Sequence, residues 1–106
     1  MAGPISPNDI ADAKLKYIPE GVFDAFNEMI IEKFNGDTAR VELRDVRRRI
    51  ILKVPEYDGQ VVTDQFVFER GWLDIEAVYE RNGWSSVKFI KAAYDENFNS
   101  YYEFRK

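Results

Sequence analysis

"LRDVRRRIILKVP", residues 43–55, can be read two ways, and the choice sets the architecture. A strand could run through "RIILKV". A helix uses more of the pattern, because Leu43, Val46, Ile50 and Val54 then share one face while Arg44, Arg47 and Arg48 point away from it. Asp45 would sit in the first turn, where the positive end of the helix dipole favours an acid, and Pro55 would stop the helix. The expected element is a helix that buries its aliphatic face and displays its arginines.

Upstream, "DTARVEL" alternates, with Ala39, Val41 and Leu43 facing one way, and reads as a strand. Before it, "IPEGVFDAFNEMIIEKFNG" carries the strongest helical period in the chain. Pro19 suits a helix start, and Phe23, Phe26, Ile30 and Phe34 follow at i, i+3, i+7 and i+11, flanked by Val22 and Met29. Asn35-Gly36 supplies a C-cap and turn. Further upstream, "SPND" resembles a capping box and predicts a short helix over about residues 7–16. Residues 1–5 are expected to be disordered or to derive from cloning.

Downstream, "EYDGQVV" reads as a loop turning at Asp58-Gly59, and "TDQFVFER" as either a strand or a capped turn of helix leading to Gly71, of which the helix is the expected one. "GWLDIEAVYERNGW", residues 71–84, places Trp72, Ile75, Val78 and Tyr79 on one helical face, widened by Leu73 and Ala77. Asn82-Gly83 ends it. The two Gly-Trp pairs are thus expected to punctuate one helix and to put both indoles in the core; the other reading is a ligand-stacking tryptophan. The last stretch reads as a β-hairpin. "SSVKFIKAA" sets Val87 and Phe89 against Lys88, "YDEN" turns, and "FNSYYEFRK" sets Phe98, Ser100, Tyr102 and Phe104 against Asn99, Tyr101, Glu103 and Arg105. The expected fold is α+β in one domain. N-terminal helices pack on one face of a small, about three-stranded antiparallel sheet that contains the C-terminal β-hairpin.

Composition narrows the chemistry. At 106 residues, 45% apolar and 15% aromatic, the chain can bury a core without disulfides. It contains no Cys and no His. That removes thiol nucleophiles, thiolate or imidazole metal ligands and the usual general base near neutral pH. No catalytic motif, phosphate loop, dinucleotide glycine pattern or calcium-loop spacing occurs, so no cofactor and no metal are expected. No apolar run approaches the roughly 18 residues of a membrane span, and residues 1–10 do not resemble a signal peptide. The reading is a soluble cytoplasmic protein.

Three blocks, "IPEGVFDAFNEMI" (18–30), "GWLDIEAVYERNGW" (71–84) and "YDENFNSYYEFRK" (94–106), together resemble a group of small proteins common in tailed-bacteriophage genomes. Its members share an Ile-Pro helix start, an Ala-Phe-Asn-Glu core, a Trp-Leu-Asp helix ending in Gly-Trp, and an aromatic C-terminal strand ending in a basic residue. Residues 44–70 fall outside the resemblance. The group carries no assigned activity. The resemblance therefore implies a phage accessory protein in the bacterial host cytoplasm, serving host takeover or counter-defence, and supplies no catalytic residues.

Charge is unevenly spread. Residues 40–53 hold six basic and two acidic side chains, a local +4 in a chain of net charge −4. Arg44, Arg47, Arg48, Arg49 and Lys53 are candidate anion- or partner-binding residues, because guanidinium groups recognise carboxylates and phosphates in bidentate fashion. The competing reading is a solvated face paired with the protein's own acids. Lys88, Tyr101 and Arg105 form a second candidate, an exposed sheet face suited to a partner or to a second copy in a homodimer. The expected partner is a host protein or a small anionic ligand. Nucleic acid is less favoured because the chain is acidic overall. An enzyme or nucleic-acid-processing factor using the basic cluster, from Arg40 to Lys53, with carboxylates is the alternative.

Overall fold

The structure, a computed structural model, describes residues 18–92 and 99–106. The helix expected over residues 7–16 and the turn at 94–97 lie outside the described residues. Helix α1 spans Glu20–Lys33, with Pro19 as the extended residue just before it. Strand β1 follows at Thr38–Glu42, and helix α2 at Leu43–Lys53. The deciding stretch is therefore helical. Val46 and Ile50 are fully buried, and Leu43 and Val54 pack half-buried at the two ends of that face.

The buried face of α1 differs from the expected one. Val22, Ala25, Phe26, Met29 and Ile30 are buried, whereas Phe23 is half-buried and Phe34 is 40% exposed. The reason is where the helix stops. Phe34 is already extended, so its ring leaves the helical stripe and meets the edge of Trp84 instead. Asn35 and Gly36 do not cap the helix directly; they build the turn into β1. The Asn35 side-chain Oδ1 accepts hydrogen bonds from the backbone N–H groups of Asp37 (3.0 Å) and Thr38 (2.8 Å). Such Asx geometry is why Asn is common in turns.

The stretch read as a loop at 56–61 is a miniature hairpin. β2 (Glu56–Tyr57) pairs with β3 (Gln60–Val61), and the two-residue turn has positive φ at both Asp58 (55°) and Gly59 (77°). This is the conformation that matches the twist of antiparallel strands and that Asp-Gly tolerates. Helix α3 (Asp64–Glu69) starts where Thr63 Oγ1 accepts from Phe66 N–H at 3.2 Å.

The stretch 71–84 holds a shorter helix than expected. Helix α4 covers only Glu76–Arg81, and Trp72 lies in a turn ahead of it, with its N–H bonded to Val67 O at 3.2 Å. Trp72, Ile75, Val78 and Tyr79 are all buried, so the apolar spacing held although its first half is not helical. The two indoles differ. Trp72 is 1% exposed and meets the edges of Tyr57 and Phe66. Trp84, expected in the core, is half-buried at its margin, between Phe34 and Phe104.

Strands β4 (Ser86–Ile90) and β5 (Tyr101–Arg105) are antiparallel and complete a three-stranded sheet in the order β1-β5-β4. The register pairs Ala39 with Phe104 and Val41 with Tyr102 on one side of β5, and Val87 with Phe104 on the other. Ala39, Val41, Val87, Tyr102 and Phe104 form the buried face, against which α1 and α4 pack. Alternation puts Thr38, Arg40, Glu42, Ser86, Lys88, Ile90, Tyr101, Glu103 and Arg105 on the other face. The fold is α+β, and among the described residues no helix is long and apolar enough to cross a membrane.

Candidate functional site: a divided basic helix and an apolar cleft

Helix α2 projects its basic residues along two flanks, and the two have different surroundings. On the flank facing α1, the Arg49 guanidinium donates to the Glu32 carboxylate and lies 3.6 Å from Glu28, which also pairs with Lys53. The hydrogen bond from Arg49 holds the Glu32 carboxyl below its ordinary value and raises Arg49. These are exposed interhelical pairs, and their main effect is to neutralise the charge of this flank.

On the other flank, Arg44, Arg47 and Arg48 line one open pocket of about 310 Å³ together with Ile51, Leu52 and Asp64. Arg44 lies 3.4 Å from Glu42 and 3.9 Å from Asp45. Arg47 Nε lies 3.5 Å from Asp64 Oδ1, in ion-pair range but without a hydrogen bond, and that nitrogen is shielded from solvent. Arg48 is exposed and has no ion-pair partner among the described residues. The five basic residues singled out from sequence thus separate into Arg49 and Lys53, paired across to α1, Arg44 and Arg47, paired with Glu42, Asp45 and Asp64, and the exposed Arg48.

The second candidate group shares the outer face of the sheet. Lys88 stands opposite Glu103 across the β4–β5 register, and Arg105 lies 3.5 Å from Glu103. Tyr101 is half-buried, with the Arg40 guanidinium 3.8 Å above its ring. This arrangement comes from the strand order: β1 flanks β5, so Arg40 falls beside the Tyr101–Glu103 row. The tyrosine is therefore covered by a cation from its own chain, and Arg40, Glu103 and Lys88 alternate in sign across the three strands.

A third feature was not anticipated from the sequence. A cleft of about 330 Å³ opens where the Phe89 end of the sheet meets the turn after α3. Leu43, Leu73 and Tyr102 form its base, and Phe68 and Phe89 stand at its sides, 75% and 40% exposed. Asp74 and Glu76 are its charged lining residues. The Tyr102 hydroxyl is already used, donating to Leu73 O at 2.8 Å. Burial, followed by the nearby carboxylates Glu76 and Asp74, raises the Tyr102 phenol well above its ordinary value. The signal for the cleft was "FVF", residues 66–68: three consecutive large apolar residues on a short helix cannot all face inward. Phe66 and Val67 do, and Phe68 does not.

Chemically, the trio of arginines suits an anion and the cleft suits an apolar group. Among the described residues no group of three or more carboxylates is gathered for a metal. Compared with known proteins, the chain matches no family model, no curated protein and no solved structure.

Proposed function

We propose that this protein is a non-enzymatic binding protein of a tailed bacteriophage, acting in the host cytoplasm, that docks on an acidic surface of a host protein through Arg44, Arg47 and Arg48. The phage setting rests on the resemblance of residues 18–30, 71–84 and 94–106. The binding surface rests on one observation: these three arginines line a single open pocket, in which Arg44 and Arg47 share their charge with Glu42, Asp45 and Asp64 and Arg48 is exposed. Three guanidinium groups can hold one or two carboxylates in bidentate fashion. Few phosphate contacts are on offer and the chain carries a net −4, which favours a local acidic epitope over a nucleic-acid backbone. The absence of His and Cys supports binding over catalysis.

The test compares wild type with the triple variant Arg44→Gln, Arg47→Gln, Arg48→Gln. Both are used to capture partners from host lysate at low and moderate salt, with bound proteins and small molecules identified by mass spectrometry. The expected result is one reproducible host protein that is retained at low salt, weakened at moderate salt and lost with the variant. Equal capture by both forms would return the arginines to the solvated surface. Release of a small anion from wild type alone would make the pocket a ligand site. Turnover of a nucleotide by the purified protein would favour the enzymatic alternative.

A further inference from the structure

The apolar cleft has the opposite character to the arginine pocket, and its lining residues are not those of that pocket. We propose that it is a second docking site, for a peptide segment of a partner protein that carries a large apolar side chain next to a lysine or arginine. The inference does not depend on the arginine trio.

Size and shape favour one inserted side chain held by a longer chain. The volume, about 330 Å³, is at the small end for enclosed ligand sites. The apolar surface also continues outside the cleft onto Phe68, which is 75% exposed. An anchor side chain seated in a desolvated pocket and ringed by contacts that exclude water is the usual anatomy of a hot spot. Burying these rings against a partner removes from water the largest exposed side chain of α3 and a half-exposed ring of β4.

Charge complementarity selects the neighbour of that anchor. Among the described residues, Asp74 and Glu76 are the only ionisable groups besides Tyr102 that line the cleft, and no basic side chain does. Both carboxylates act on Tyr102 against its ionised form, with Arg47 acting in the opposite sense from outside the lining, so the charge carried by the lining itself is negative. A cation beside the apolar anchor gains from that charge, and an anion is repelled. The same acids disfavour docking on an anionic lipid surface.

Blocked tetrapeptides that differ at one position, with Phe-Lys, Phe-Gln or Phe-Glu at the centre, are titrated against the full chain by two-dimensional NMR. The expected order of affinity is Lys over Gln over Glu, with the first and last about tenfold apart at low salt and converging as salt rises. Shifts should concentrate at Phe68, Leu73, Phe89 and Tyr102. Phe68→Ser, at an exposed position, should weaken all three peptides. Asp74→Asn should shrink the preference for lysine over glutamine and glutamate. Three results overturn the proposal: indifference to the charged neighbour, shifts confined to another surface, or a self-associated state that Phe68→Ser dissolves, which would identify a second copy as the occupant.

Discussion

Trp72 and Trp84 share a Gly-Trp context and differ in what encloses them. Trp72 fills a pocket between Tyr57 and Phe66 with 1% of its surface exposed, so its removal leaves a cavity that nearby rings cannot close. Trp72→Ala should cost about 3–5 kcal/mol, as large aromatic truncations in cores do. Trp84 has core on one side only, and Trp84→Ala should cost about 1–3 kcal/mol. Chemical denaturation of the two variants side by side checks the order; equal losses would mean that the half-buried ring is as confined as the buried one. Tyr79 and Tyr102 make a second contrast at this scale. Burial raises both phenols, with further contributions from Asp24 at Tyr79 and from Glu76 and Asp74 at Tyr102. Each hydroxyl donates inside the fold, to Asn27 Oδ1 at 2.6 Å and to Leu73 O at 2.8 Å. A folded value raised above the unfolded value near 10 stabilises the native state fully below that pH and is lost as pH rises through the folded value. Tyrosinate absorbance from these two residues should therefore appear together with alkaline unfolding seen by circular dichroism, not ahead of it.

At the scale of elements, the contact between α1 and α2 is close at one point. A Cβ placed on Gly21 would lie 2.6 Å from Val54 Cγ2, a distance that real side chains do not tolerate. Alanine ordinarily favours a helix over glycine by up to about 1 kcal/mol. Here Gly21→Ala should instead destabilise by about 1–3 kcal/mol, because a stiff β-branched neighbour must be displaced. Adding Val54→Ala should recover much of that loss, and a double-mutant cycle on thermal unfolding reads the coupling directly. A Gly21→Ala chain that melts at or above wild type would show that the helices can shift apart cheaply. The same interface explains what sequence could and could not reveal. The helical reading of 43–54 held because Leu43, Val46, Ile50 and Val54 repeat at helical spacing and Pro55 closes the element. The alternation at 38–42 and 101–105 likewise specified strands. The fates of Arg49 and Lys53 were not legible, because their partners Glu28 and Glu32 stand 17 or more residues away, and only the packing of α1 on α2 brings them together. The apolar cleft was hidden for a similar reason. Leu43, Leu73 and Phe89 come from separate stretches and each alone reads as core, so only Phe68 in the FVF run hints at an outward apolar surface.

For the whole molecule, the order β1-β5-β4 makes residues 101–105 the middle strand of the only sheet of more than two strands among the described residues. β5 pairs along its full length with β1, more than 50 residues earlier, and with β4 on its other edge. It also delivers Tyr102 and Phe104 to the centre of the aromatic core, where Phe26 and Tyr79 meet their edges. Backbone bonds clamp both sides: Leu43 N–H to Ser100 O at 2.9 Å, Ser85 N–H to Arg105 O at 3.0 Å, and Lys106 N–H to Asp37 O at 2.9 Å. Among the described residues neither β1 nor β4 has another strand partner, so without β5 the sheet does not exist, and the helices lose the surface they cover. Energetically, truncating two buried aromatics at about 3–5 kcal/mol each already approaches the roughly 5–15 kcal/mol that holds a domain together. Both ladders are lost in addition. A chain stopped after Ser100 should therefore be unfolded as a whole, with collapsed NMR dispersion and no cooperative melting transition, although α1, α2 and α4 remain intact in sequence. Folding of the full chain should likewise wait on residues 101–106, since the long-range pairing of β1 with β5 carries a loop-closure cost before any sheet contact offsets it. Tyr102→Ala should then slow folding as well as weaken the native state. If the shortened chain kept a cooperative transition and dispersed signals from α1 and α2, the helical layer would be an autonomous unit and the sheet an addition to it.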